Sequence, residues 1–167
     1  NSTGADLFDS NQLDFTTLSD QFVQEYSGAP DFHSIPKATI GYLSFNTTRP
    51  TTGNAALRRA IAQAFDKQVY ADSVIQDGSQ PLNNLVPKAF DVNEAGEDYQ
   101  EQAGPMLTYD VQAAQADWAK AKEELGQETI ELQLLTSDVG LSKRTAEFLK
   151  EELEKNLPGL KLSVLSV

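Results

Sequence analysis

Apolar residues recur at spacings of three and four through Ala55, Leu57, Ala60, Ile61, Ala64 and Phe65, which is the period of one buried helix face. Asn54 stands just ahead of them, where a side-chain oxygen caps the first turn. Asp66 holds the equivalent place before Val69, Tyr70, Val74 and Ile75, a second helix that Gly78 is expected to end. The same period returns from Asp110 to Gly126, with Ala113, Ala114, Trp118, Ala121 and Leu125 on the buried stripe, and again from Ser142 to Leu157. Between and after these two helices the period drops to two, in Thr129–Leu135 and Leu160–Val167. This ending reads strand, helix, strand and predicts a parallel pair with a right-handed crossover.

The first third of the chain is less regular. Leu18–Tyr26 predicts a short helix with Ser19 as its cap and Phe22, Val23 and Tyr26 on one face, stopped by Gly28, Ala29 and Pro30. After an interrupted start at Phe32, Ser34 and Pro36, the β-branched and aromatic run Ala38–Phe45 predicts a strand. Thr47–Gly53 reads as a turn or loop. Residues 79–108, with Pro81, Pro87, Gly96, Gly104 and Pro105, show no sustained period and read as a long irregular excursion of the kind that carries function or drapes over another surface. There is no internal repeat and no low-complexity tract. The fold class expected is α/β.

Composition narrows the function classes. The 167 residues are 40% hydrophobic, enough for a real core in one domain or one large piece of a bigger one. Cysteine is absent, so there is no disulfide framework, thiolate zinc site or cysteine nucleophile, and His33 alone makes no polyhistidine metal site. With 25 acidic against 13 basic residues the formal net charge is -12, which repels a phosphate backbone and argues against nucleic acid. The opening 36 residues carry Asp6, Asp9, Asp14, Asp20, Glu25 and Asp31 and no Lys or Arg. No apolar run is long enough to span a membrane. The first residue is Asn1, and the last strand alternates up to Val167; both suggest an interior piece of a longer protein.

Candidate chemistry is sparse. Asp91–Gln102 resembles a calcium loop, but Ala95 and Gln102 occupy positions where carboxylates are needed, so a solvated acidic loop is the better reading. Carboxylate pairs such as Asp6 with Asp9 and Glu123 with Glu124 lie in polar surroundings that do not separate their pKa values. His33 reads as a hydrogen-bonded structural imidazole. The sequon Asn46-Thr47-Thr48 reads as backbone-organising. Arg58 and Arg59 sit near the start of a helix whose dipole opposes them, so an acidic neighbour, a carbonyl cluster or a partner surface is expected to hold them, with structural pairing favoured. No catalytic residue, metal ligand or cofactor is assigned.

The order of these pieces carries a resemblance. The strand Ile40–Thr47, a Pro-containing loop, and the helix Leu57-Arg58-Arg59-Ala60-Ile61-Ala62-Gln63-Ala64-Phe65-Asp66-Lys67 resemble the family 5 extracellular solute-binding proteins, the oligopeptide-binding components of bacterial ABC importers. Gly78–Pro87 resembles that family's loop after the second helix, Tyr109–Ala114 the start of its next helix, and Gln12–Thr16 the segment leading into its cleft. Val111 replaces a customary proline, and Thr51-Thr52-Gly53 replaces a common Pro-Phe loop.

The resemblance implies a partial periplasmic-binding-protein-like lobe of type II, a mixed sheet with flanking helices. Residues 1–36 would end the first lobe, and 37–167 would form the opening half of the C-terminal lobe. It implies Thr16, Thr17, Leu18, Tyr42, Ser44 and Asn46 at the cleft, a peptide ligand, and permease subunits as partners. It also implies a monomer that touches the membrane through a lipid anchor lying elsewhere, and a cell-surface or periplasmic location for the parent protein. Tyr42 is open between stacking on the ligand and packing beneath its strand. The alternatives are an acidic surface interaction or peptide-signal receptor domain, a family branch binding a metal chelate, haem or sugar, and a carboxylate hydrolase, for which acid abundance is the only feature.

Overall fold

The computed structural model describes residues 2–19, 21–35 and 37–167, so Asn1, Asp20 and Pro36 lie outside it. Its contacts divide the chain into two units: the described residues of 1–37 with Gln68–Pro81, and Ala38–Lys67 with Leu82–Val167.

In the first unit, α1 (Ser2–Asp9) and α2 (Gln21–Tyr26) are joined where the Tyr26 hydroxyl donates to Asp9 Oδ2 at 2.5 Å. That carboxylate pushes the Tyr26 phenol up to about 12. The helix α1 was not legible in the sequence, because its eight residues, STGADLFD, carry too little periodic apolar surface to stand out. Among the described residues, Ala5, Ala71 and Val74 are the buried apolar side chains of this unit.

In the second unit the main core gathers α4 (Ala55–Gln63), α7 (Val111–Leu125), β1 (Ile130–Thr136), α8 (Gly140–Asn156) and β2 (Leu160–Ser166). The expected caps operate: Asn54 Oδ1 accepts from the Leu57 N–H at 2.9 Å and Asp110 Oδ1 from the Ala113 N–H at 2.9 Å. Gly126 closes α7 in the left-handed region at φ 64°. Strands β1 and β2 pair in parallel, with Ile130 opposite Leu160 and Thr136 opposite Ser166. Trp118, Leu57, Ile130 and Leu157 are the largest fully buried side chains.

Buried polar bonds lock these elements together. The Trp118 indole N–H donates to Pro158 O at 2.8 Å. Asn156, buried at the end of α8, donates through Nδ2 to Ala64 O at 2.7 Å, giving a partner to a carbonyl at the end of α4 that the helix itself leaves orphaned. Glu154 Oε1 accepts both the Leu162 N–H at 2.7 Å and the Lys150 ammonium at 2.9 Å. The Leu162 amide, then Lys150, hold the Glu154 carboxyl below its ordinary 4.5. Because the folded-state pKa is depressed, this contribution to stability is present above 4.5 and is lost as pH falls through the lowered value. Glu154→Gln is therefore expected to reduce stability at neutral pH. Its unfolding midpoint should converge with that of the parent on acidification below 4.5, read by urea titration at stepped pH; a constant offset across that range would contradict the linkage.

Several sequence expectations change. Ala38–Phe45 forms no strand among the described residues, bending at Ala38 and carrying no regular structure on to Phe45, since a strand exists only through a partner and its local pattern supplies none. The expected loop Thr47–Gly53 contains a helical turn, α3 (Pro50–Gly53), started by Pro50 at its first position. The second helix runs as α5 (Lys67–Tyr70) into a π-helical segment, Ala71–Ile75. It ends at Gln76, not Gly78: the Gln76 N–H reaches Ala71 O at 2.9 Å with φ 56°. The excursion holds a short helix, α6 (Tyr99–Ala103), capped by Asp98, whose Oδ1 accepts from the Gln100 and Glu101 N–H groups.

Candidate functional site

The six residues expected at a cleft fall into the two units, three in each. Thr16, Thr17 and Leu18 belong to the extended stretch after α1. Thr16 and Leu18 are half-buried and Thr17 is exposed. The Thr16 side chain lies against Gly4, where an added methyl would sit 2.5 Å from its hydroxyl oxygen. The glycine in α1 is thus what lets the two segments approach. Of the three side chains, Thr17 is the one presented to solvent.

Tyr42, Ser44 and Asn46 lie on the extended segment of the second unit. Leu43 and Phe45 are half-buried against the main core, so the period-two geometry turns Tyr42, Ser44 and Asn46 to the opposite, exposed side. Tyr42 is 75% exposed, so within these residues it is not packed against the core. Its ring and hydroxyl stand ready for a stacking or hydrogen-bonding partner. Asn46 organises backbone as expected: its Oδ1 accepts from the Thr48 N–H at 3.1 Å and the Thr48 hydroxyl at 2.7 Å, and Thr52 Oγ1 donates to its carbonyl at 2.5 Å. It fixes the turn by which the segment enters α3.

The arginines behind this segment are held structurally. Arg58 Nη1 donates to Thr52 O at 2.9 Å and Gly53 O at 2.8 Å, taking up carbonyls at the end of α3. Arg59 forks onto Asp117 of α7, with Nη2 to Oδ1 at 2.6 Å and Nε within 3.2 Å of both oxygens; Asp117 raises the Arg59 pKa. Two of the alternatives left open by the dipole argument, a carbonyl cluster and an acidic neighbour, thus apply to successive residues.

Sequence reasoning passed over Lys67. Its ammonium donates to Ala62 O at 3.2 Å, Asn83 Oδ1 at 3.0 Å and Leu107 O at 2.7 Å. It ties both ends of the excursion to the end of α4. Burial pushes its pKa down, and Asp66 opposes that. The signal was present in the Asp66-Lys67 pair, but the partners lie 16 and 40 residues away.

The other chemical candidates do not converge. Asn93 Oδ1 accepts from the Ala95 and Glu97 N–H groups. Asp98, whose Oδ2 also accepts from the Ala89 N–H, has its pKa lowered by these backbone donors, Ala89 foremost. These side chains shape the loop Asp91–Gln102. Among the described residues no group of three or more His, Asp or Glu could hold a metal ion. Asp9 is engaged by Tyr26, Glu124 by Asn54 Nδ2 at 2.8 Å, and His33 is exposed. A hollow lined by Ala38, Ile40, Leu85, Pro87 and Phe90 has apolar side chains alone on its walls and offers no side-chain group to orient a polar ligand.

A parallel β-α-β unit flanked by helices, with polar side chains presented from an extended segment above its core, defines a partial α/β lobe of the periplasmic-binding-protein kind. The chain belongs to the bacterial extracellular solute-binding proteins of family 5: the family model described as "Bacterial extracellular solute-binding proteins, family 5 Middle" matches residues 1–167. It is 28% identical over 172 residues to the dipeptide-binding protein of Lactococcus lactis subsp. cremoris, covering 97% of this chain and 31% of that one. Among solved structures it is similar to "Listeria monocytogenes OppA bound to peptide", at 34% identity and a TM-score of 0.86 over 99% of this chain and 34% of that one. It is also similar to "Structure and mode of peptide binding of pheromone receptor PrgZ", at 28% identity and a TM-score of 0.81 over 99% and 33%. The chain therefore spans about a third of the length of these relatives.

Proposed function

We propose that the protein to which this chain contributes captures oligopeptides outside the membrane and delivers them to the permease subunits of an ABC importer. In this reading residues 1–36 end the first lobe and 37–167 begin the C-terminal lobe. Thr16, Thr17 and Leu18 from one, and Tyr42, Ser44 and Asn46 from the other, face the peptide. The protein is a monomeric binding component without catalytic activity, held at the cell surface or in the periplasm, in the former case by a lipid anchor.

The observation that carries the reading is the similarity over nearly the whole chain to a solved peptide complex, together with the exposed side presented by Tyr42 and Ser44. Receptors of this kind hold a peptide chiefly through its main chain and leave room and water for varied side chains; two lobes closing on it couple capture to recognition by the permease.

Isothermal titration of the full-length protein with mixed short peptides tests this. Tyr42→Ala, at a side chain that the core does not use, is expected to weaken binding by about tenfold, about 1.4 kcal/mol, with the unfolding midpoint unchanged. Absence of heat with every peptide would reject the reading. Heat with a metal chelate, haem or sugar in its place would move the protein to another branch of the family. The similarity to a pheromone receptor favours one second reading, a receptor for a peptide signal. Binding of labelled peptide without its uptake by cells carrying the intact protein would select that.

A further inference from the structure

The hollow lined by Ala38, Ile40, Leu85, Pro87 and Phe90 lies within the second unit and has a volume of about 140 Å³. Its walls come from two places in the chain. Ala38 and Ile40 stand two residues apart on the segment ahead of α3 and line the same hollow. Tyr42 and Ser44 continue that row in steps of two, exposed while the intervening Leu43 and Phe45 pack on the core. Leu85, Pro87 and Phe90 come from the irregular excursion and complete the wall.

That second wall is fixed in place. Two residues ahead of Leu85, Asn83 accepts from Lys67 Nζ at 3.0 Å through Oδ1 and from the Met106 N–H at 3.1 Å through its carbonyl. The Phe90 N–H donates to Pro87 O at 3.3 Å. Ala89 between them stands at φ 62° with its N–H held by Asp98 Oδ2. Left-handed backbone at a residue other than glycine persists where its surroundings over-determine it. The walls are rigid yet open, with Leu85 75% and Phe90 62% exposed, so their apolar surface remains to be taken from water by something that fills the space.

We propose that this hollow is a selective subsite of the peptide receptor, taking one branched aliphatic or aromatic side chain, Leu or Phe, from a peptide whose main chain passes Tyr42 and Ser44. The proposal rests on the reading of the protein as a peptide receptor and adds a preference to it. Roomy, hydrated pockets accept varied side chains. A hollow of about 140 Å³ walled by apolar side chains alone instead stays dry and suits an apolar group about as large as benzene. A carboxylate or amide placed there would lose its water and find no side-chain partner. The continuity of the hollow with the exposed row of Tyr42 and Ser44 points to the peptide as its occupant. So does its extent: in sequence the walls are interrupted by exposed Thr39 and by Lys88, which pairs with Glu101 at 2.8 Å. This leaves room for one side chain, whereas a second copy or another protein needs a broader face.

Isothermal titration of the full-length protein with short alanine peptides of graded length, and with their single-residue variants carrying Leu, Phe or Asp at each position in turn, tests the proposal. The expected result is one position at which Leu or Phe binds about tenfold or more tightly than Ala and Asp does not. That ratio should fall towards one both in Ala38→Leu, which fills the hollow, and in Phe90→Ala, which removes part of its wall. The unfolding midpoint of ligand-free Ala38→Leu should match that of the parent, since an open hollow accommodates the added methyl groups. A lowered midpoint would mean that the protein's own chain already fills the space, and would overturn the proposal. So would a parent ratio near one at every position, a ratio that survives in both variants, or a ratio that changes with protein concentration, which would make a second copy the occupant. Each of these leaves the receptor reading standing; absence of heat with the mixed peptides as well would reject both.

Discussion

Trp118→Ala is expected to lower the unfolding free energy by about 3–5 kcal/mol, a large part of the roughly 5–15 kcal/mol that a domain possesses. Trp118 is 1% exposed in the middle of α7, facing the core. Its truncation removes the largest buried apolar surface of the second unit and leaves a cavity bounded by elements that are fixed from other directions. Asn156 ties α8 to Ala64 and Gln115 Nε2 ties α7 to Asn156 O at 3.1 Å, so collapse into the space is resisted. The indole N–H adds a polar part to the loss, since it donates to Pro158 O in the connection between α8 and β2. Trp118→Phe keeps most of the ring and removes that donor, so the expected cost falls to about 1–3 kcal/mol. Urea denaturation of the full-length protein followed by circular dichroism reads both values. A loss below about 1 kcal/mol for the alanine variant would contradict the placement of this side chain at the centre of the core.

Gly159→Ala is expected to cost about 2–4 kcal/mol, through geometry in place of lost contacts. The residue sits at φ +88°, and a Cβ there would lie 2.7 Å from Glu128 O. The atoms it meets, of Glu128 and Thr129, are all backbone, so no flexible side chain can move aside. The site also sets the sheet register, because Gly159 O receives the Ile130 N–H that opens the β1–β2 ladder. Gly126→Ala is the control: φ is +64° but nothing lies within 4 Å, so only the left-handed conformation is penalised, by about 1–2 kcal/mol. The excess of the first loss over the second, measured by the same denaturation experiment, reports the close approach. Equal losses would mean that the chain relaxes freely around residue 159.

Legibility in the sequence followed the range of the interaction. The helices at 55–63, 111–125 and 140–156 were readable because the signals that make them, a cap at Asn54 or Asp110, a stop at Gly126 and apolar residues three and four apart, lie within a few residues of each other. The β-α-β ending was readable for the same reason: two alternating runs flank one amphipathic helix. At Leu18–Tyr26 the apolar face gave a helix whose observed span is Gln21–Tyr26. Against this, the alternation of Ala38–Phe45 predicted a strand that the described residues do not form, because membership of a sheet depends on a partner that no local pattern specifies. The π-helical stretch and the left-handed Gln76 escaped because glycine was the stronger nominal stop.

The candidate site divides in the same way. The types and spacing of Tyr42, Ser44 and Asn46 are properties of the sequence. That they share an exposed side, with Leu43 and Phe45 turned to the core, was decided when the segment docked on α4, α7 and the strands. Arg58 and Arg59 were marked by their unfavourable position near a helix start, but their partners, Thr52, Gly53 and Asp117, could be sorted only in three dimensions.

By itself, then, the sequence determined the helices at 55–63, 111–125 and 140–156, the parallel β-α-β unit and the family, because caps, periodicity and the Arg-Arg-Ala-Ile to Asp-Lys segment are short-range properties written residue by residue. Tertiary structure alone decided that Lys67 ties the excursion to the end of α4, that Tyr42 is exposed, and that Glu154 and Lys150 hold the backbone of Leu162 in β2. The physical reason is that hydrogen bonds and burial between residues tens of positions apart depend on how elements pack, and the period of any one element is silent about that.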